Sequence, residues 1–139
     1  MTSRTRRTNR AVMCRFPTDS SVLAGHVLLL ETSEDMPPAH EVGYVLRSMG
    51  ERGLLAEVSG VVASRPPASD HDHPGTSESR RAFRDEQRDA ILEVVGTYNP
   101  DAVVCVGVPF GHTRPQWILP YGGEVTLDGA EQRLYADFG

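Results

Sequence analysis

Lysine is absent from this 139-residue sequence, and all 14 basic residues are arginine. That excludes a lysine nucleophile or Schiff base inside the chain. There are two cysteines, Cys14 and Cys105, with neither metal-ligand spacing nor a partner motif. Cys105 lies in the apolar run Val103-Val104-Cys105-Val106, where a thiol reads as buried and inert. Nothing here calls for an oxidising compartment. Apolar runs such as Val27–Leu30 are far too short to span a bilayer. The arginines at the N-terminus have no apolar segment behind them, so no secretory signal is expected. A cytoplasmic location, off the membrane, is the default expectation. The net charge of −5 gives no general reason to expect a nucleic-acid partner. What is present, 39% hydrophobic and 24% charged residues, suits one globular domain of ordinary size.

Residues 1–20 open with Met1-Thr-Ser-Arg-Thr-Arg-Arg-Thr-Asn-Arg10 and have no apolar periodicity. They read as a basic, mobile tail, with a weak nucleic-acid or acidic-lipid arm as the alternative. The domain is expected over residues 21–139. His26 to Leu30 is short, apolar and bounded by Gly25, which fits a strand buried on both faces. Pro37-Pro38 opens a helical pattern with Val42, Val45, Leu46 and Met49 on one face, ended by Gly50 or Gly53. Val58 to Ala63 is a second strand candidate. A loop follows over 65–77, rich in Pro, Asp, His, Gly and Ser.

A second amphipathic helix is expected from Ser77 to Val95. Phe83, Ala90, Ile91 and Val94 point inward; Arg80, Arg81, Arg84 and Arg88 point outward. Asn99-Pro100 stops it. Ala102 to Val108 is a third strand, followed by short extended pieces at Gln116–Pro120, Glu124–Leu127 and Arg133–Tyr135. Gly122-Gly123 reads most simply as a hairpin turn. Strands alternating with helices predict an α/β fold: a small, mainly parallel sheet with flanking helices and a β appendage.

Two strand exits carry ionisable groups. Glu31 follows Leu28-Leu29-Leu30, at the edge of an α/β sheet where catalytic groups collect. Glu34 and Asp35, just ahead of Pro37-Pro38, read as loop or capping acids. His112 sits in Val108-Pro109-Phe110-Gly111-His112-Thr113, with Gly111 leaving room beside it. A neutral imidazole there takes a proton from a hydroxyl while a carboxylate orients its other nitrogen. Glu31 and His112 converge if both leave the same sheet edge. His71-Asp72-His73 lacks a third metal ligand and reads as a solvated turn, so no metal or cofactor is expected. His26 and His40 read as surface residues. Trp117 packs the end of the sheet or, alternatively, lines a cleft.

The segments Leu28-Leu29-Leu30-Glu31-Thr32-Ser33-Glu34 with Pro37, Leu46-Arg47-Ser48-Met49-Gly50, and Val58-Ser59-Gly60-Val61 appear in order. After them come Phe110-Gly111-His112-Thr113-Arg114-Pro115 and Leu119-Pro120-Tyr121-Gly122-Gly123-Glu124-Val125 with Asp128. Together these resemble the C-terminal domain of the LD-carboxypeptidase and microcin-immunity serine peptidases, over about residues 22 to 139. The resemblance implies a swivelling β/β/α-like domain in which His112 and Glu31 are the triad histidine and glutamate. It also implies murein peptides, or peptidyl and aminoacyl nucleotide antibiotics, as substrates. In that family the serine and the oxyanion-hole donors come from an N-terminal domain. None of the serines here lies in a nucleophile turn; Ser20, Ser21, Ser69, Ser77 and Ser79 are tail, loop or helix-start residues. The chain alone is therefore expected to be inactive, with the nucleophile domain supplied separately or lost. A silent binding or interaction domain is the alternative, and a homodimer is also open. Pro109, Phe110, Trp117, Ile118 and Tyr121, which flank His112, are the expected exposed docking patch.

Overall fold

The computed structural model describes residues 19–70 and 72–139. The expected tail therefore lies outside the described residues, apart from Asp19 and Ser20, as do Cys14 and His71. A short 3-10 turn, Ser20–Leu23, leads into strand β1 (Val27–Leu30). Helix α1 (Ala39–Glu51), the one-turn helix α2 (Leu54–Glu57) and strand β2 (Gly60–Ser64) come next. Helix α3 (Ser77–Tyr98), strand β3 (Val103–Val108) and the strands β4 (Glu124–Asp128) and β5 (Arg133–Asp137) complete the chain.

The first three strands form a parallel sheet in the order β1-β2-β3, and β4 and β5 form a separate antiparallel pair. Both crossovers move the same way across the sheet. Right-handed connections of that kind place both helices on one face. The core agrees: Val42, Leu46 and Met49 of α1 and Ile91, Val94 and Val95 of α3 meet Val61 and Ala63 of β2, with Leu28, Leu30, Val104 and Val106 alongside.

The opposite face carries Val27, Leu29, Val62, Cys105 and Val108. Leu127 and Leu134 of the β4–β5 pair cover it, together with Phe110 and Leu119. This packing needs a bare backbone at Gly60. A Cβ there would come within 2.6 Å of Leu127 and 2.7 Å of the Val103 carbonyl. Only β2, which has a strand on each side, is buried throughout. Strands β1 and β3, the sheet edges, are half-buried, which corrects the expectation of burial on both faces. Cys105 is likewise half-buried, and burial raises its thiol pKa.

Local signals explain the helix ends. Pro38 is the N-cap of α1 and cannot donate a backbone hydrogen bond, which costs nothing at that position. The chain leaves α1 through Gly53, in the left-handed region. Thr76 and Ser79 form a reciprocal capping box on α3. At its far end the Asn99 amide donates to the carbonyls of Leu55 and Val58 at 2.8 and 2.9 Å, tying α3 to α2.

Several finer expectations change. Val45 is 51% exposed, because α1 buries the narrower stripe Val42, Leu46, Met49 and Gly50. In α3, Phe83 and Ala90 are only half-buried and Gln87 takes the inward position. Arg80 and Arg84 are half-buried rather than outward. Gly122-Gly123 makes a turn before β4, closed by Gly123 N–H on the Pro120 carbonyl, whereas the hairpin reverses over 129–132. Gln116–Pro120 has no strand pairing. No helix among the described residues is long and apolar enough to cross a membrane.

Candidate active site

Parallel strands point their carboxyl ends the same way, so the segments after β1, β2 and β3 emerge at one edge of the sheet. Glu31 follows β1 directly, Arg65 follows β2, and His112 lies four residues beyond β3. Near the end of β3 the register gains one residue opposite β2, where Gly107 adopts a positive φ of 76°. The bulge keeps Val108 on the hairpin face and fixes where the following loop begins.

That loop brings the His112 ring onto Glu31. Nδ1 of His112 meets Oε1 of Glu31 in a close hydrogen bond and ion pair. Gly111 makes the approach feasible. Its φ of 70° is in the left-handed region, and a Cβ there would collide with the Glu31 carboxylate. A second acid stands on the other side of the ring: Glu34 Oε2 is 2.9 Å from His112 Nε2. The hydrogen bond to Glu31, and then the charge of Glu34, hold the imidazole pKa above its ordinary value. The pair is half open to water, His112 at 51% and Glu31 at 35% side-chain exposure, so neither partner is locked in place by burial.

The His112 loop is fastened from β2. Arg65 donates from Nε to the Thr113 hydroxyl at 3.0 Å and from an Nη to the Arg114 carbonyl at 2.5 Å. Thr113 is buried by this contact. Gln116 adds a bond from its amide to the Gly111 carbonyl at 2.7 Å. The peptide bond between Arg114 and Pro115 is cis.

The structure thus brings Glu31 and His112 together. It also adds Glu34, which reads in the sequence as a loop acid. The turn from Ser33 to Met36, closed by Met36 N–H on the Ser33 carbonyl, curls Glu34 back to the ring. Its only sequence signal is the Glu-Thr-Ser-Glu spacing. Arg65 was hidden as the first residue of a loop; its signal is its place directly after the central strand. Asp35 accepts from Ser33 and stays in its own loop.

His73 pairs with Asp70 at 3.2 Å, and no group of His, Cys, Asp or Glu among the described residues could hold a metal. His26 and His40 are exposed. Trp117, Ile118 and Tyr121 are 56%, 81% and 99% exposed, so the packing role expected for Trp117 is not observed. Phe110, by contrast, turns inward under the hairpin and leaves the expected patch.

A parallel sheet with helices on one face and a hairpin on the other, presenting an acid–histidine pair at its carboxyl edge, defines a mixed α/β domain with its chemistry on strand exits. The family model described as LD-carboxypeptidase C-terminal domain matches residues 9–127, and the chain belongs to that family. Among solved structures it is similar to a MccF-like protein from Streptococcus pneumoniae in complex with AMP. The identity is 28% and the TM-score 0.67, over 88% of this chain and 31% of that one. The chain therefore spans about a third of the length of that protein. No curated protein matches the sequence.

Proposed function

We propose that this domain supplies the general base His112 and its orienting carboxylate Glu31 to a serine carboxypeptidase site whose nucleophile lies outside the described residues. The observation that carries this reading is the contact of Glu31 with Nδ1, which leaves Nε2, now 2.9 Å from the exposed Glu34, as the nitrogen that would meet the serine hydroxyl once Glu34 moves aside. In the mechanism, Nε2 takes the proton of the attacking serine and returns it to the leaving amine, while Glu31 stabilises the imidazolium. Water activated by the same histidine then hydrolyses the acyl-enzyme. Among the described residues no serine hydroxyl bonds to His112, in keeping with a nucleophile supplied by a second domain. The exposed Trp117, Ile118 and Tyr121 are candidates for the surface that meets it.

Membership of the family supports peptides as substrates, either murein peptides cut before a terminal D-residue or peptidyl and aminoacyl nucleotides. The AMP in the MccF-like structure is in keeping with the second class. The test is complementation. The chain alone should not cleave an L,D-tetrapeptide or a peptidyl adenylate, and adding a nucleophile domain of the family should give turnover. His112→Ala should then abolish it, and Glu31→Ala should reduce it by several orders of magnitude. Strong activity from the chain alone would overturn the proposal.

One observation favours a second reading, a silent binding domain. Glu34 occupies the very nitrogen a serine would need. If so, complementation fails even when the two domains bind each other.

A further inference from the structure

A cavity of about 270 Å³ lies where the carboxyl ends of all three parallel strands face the middle of α3. Part of its wall is apolar, from Leu30, Ala63, Ile91 and Val106. Two polar side chains in that wall are incompletely satisfied. Gln87, 1% exposed, donates its amide nitrogen to the Pro37 carbonyl at 2.6 Å. A carbonyl only accepts, so the orientation of the amide is fixed and its oxygen is the group left over. That oxygen has no partner, and neither has the Thr32 hydroxyl. Each buried orphan costs about 1–3 kcal/mol unless something in the cavity pairs with it.

The charge in the wall is also unbalanced. Arg65 and Arg84 both line the cavity, and among the described residues neither has a carboxylate at ion-pair distance. Arg65 commits Nε and one Nη to the His112 loop, and Arg84 commits Nε to the Pro66 carbonyl. Their remaining guanidinium nitrogens make none of these bonds. The one acid in the lining, Asp85, is already paired with Arg88 at 2.7 Å. Burial, and then the charges of Arg65 and Arg80, push the Arg84 guanidinium below its ordinary pKa, as expected where cations crowd without an anion.

We infer that this cavity binds a small aliphatic carboxylic acid that carries a hydrogen-bond donor on its α-carbon, that is, an α-amino or α-hydroxy acid. The carboxylate meets Arg65 and Arg84, a planar group matched to a planar fork. The hydrocarbon lies against Leu30, Ala63, Ile91 and Val106, and the α-substituent donates to Gln87 Oε1. That oxygen lies just beneath the cavity wall with less than 1 Å² accessible, so binding includes a small shift of the side chains that cover it and Thr32. Inorganic phosphate would answer the charge but leave the apolar wall unmatched. The inference is independent of the peptidase proposal, since binding needs no nucleophile.

The test follows backbone and Gln87 side-chain amide signals by NMR while the 139-residue chain is titrated with leucine, leucinamide, 4-methylpentanoate and phosphate. Leucine, as either enantiomer, should give saturable shifts at Thr32, Arg84 and Gln87. Leucinamide, which lacks the carboxylate, should give none, and 4-methylpentanoate, which lacks the donor, should bind more weakly than leucine. Arg84→Gln should weaken leucine binding about tenfold, the loss of one charged hydrogen-bonding partner. Should that variant fail to fold, the comparison of leucine with leucinamide on the unaltered chain still decides. Three results would overturn the inference: no saturable shift with leucine, equal binding of leucinamide, or binding of phosphate alone.

Discussion

Gly111 offers the sharpest test of how the acid–histidine pair is built. Its φ of 70° costs a residue with a Cβ about 1–2 kcal/mol. In a domain of this size that corresponds to a fall in Tm of about 3–7 °C. Gly111→Ala carries a second consequence, because the new methyl group would collide with the Glu31 carboxylate and drive it from the ring. The ion pair is solvent-exposed and its loss adds little to the stability cost. Its loss does change titration: without Glu31 the largest cause of the raised His112 pKa is gone, and the midpoint should fall towards the ordinary imidazole value.

Gly122→Ala is the matched control. Its φ is 75°, and a Cβ there meets nothing within 4 Å. Both variants should lose similar thermal stability, while only Gly111→Ala moves the His112 midpoint in an NMR pH titration. An unchanged midpoint in Gly111→Ala would refute the claim that the missing Cβ is what admits the glutamate.

Three further outcomes are expected. Glu34→Gln removes one of the two charges beside His112, so the imidazole midpoint, read by NMR, should drop. The stability linked to this histidine is fully present below its unfolded pKa and is lost as pH rises through the raised folded value. Melts of Glu34→Gln across that interval should therefore show a narrower loss, and an identical pH profile would count against the Glu34 contact. Leu46→Ala, at a fully buried site between α1 and the sheet, should cost about 2–5 kcal/mol in denaturant unfolding, and a cost below about 1 kcal/mol would mean the core is misassigned. Trp117→Ser with Tyr121→Ser should change stability by less than about 0.5 kcal/mol, since both rings are exposed, yet weaken binding of a nucleophile domain in calorimetry.

The sequence reveals most where a property belongs to a short segment. Aliphatic runs between Gly or Pro residues mark β1, β2 and β3, and Asn99-Pro100 marks the end of α3. What depends on how segments meet is not written locally. Val45 has the spacing of a core residue, but α1 meets its neighbours along a narrower stripe and leaves it in water. Phe110 belongs by sequence to the surface around His112, yet the β4–β5 pair lies over that face and draws it inward. Sheet order decides the burial of β1 and β3, and no periodicity within either strand encodes which of the three is central.

The site follows the same division. Glu31 and His112 are legible because Glu31 directly follows one apolar run and His112 lies four residues beyond another, and parallel strands must release their C-terminal segments at one edge. Glu34 is not, since its reach to Nε2 depends on the turn at Ser33–Met36 that no single residue dictates. The consequence is chemical. Two acids from one short loop flank a single imidazole, one at each nitrogen, and together they raise its pKa above the ordinary value. A general base must be neutral before it can accept a proton. Glu34 is exposed and its ion pair correspondingly weak, so in the proposed mechanism a nucleophile arriving at Nε2 displaces only a surface carboxylate. Glu31, held in the gap left by Gly111, would in that mechanism stay to orient the ring. In that mechanism, the exchange that frees the nitrogen also removes the Glu34 charge that helps raise the histidine pKa, and so favours the neutral form a base requires.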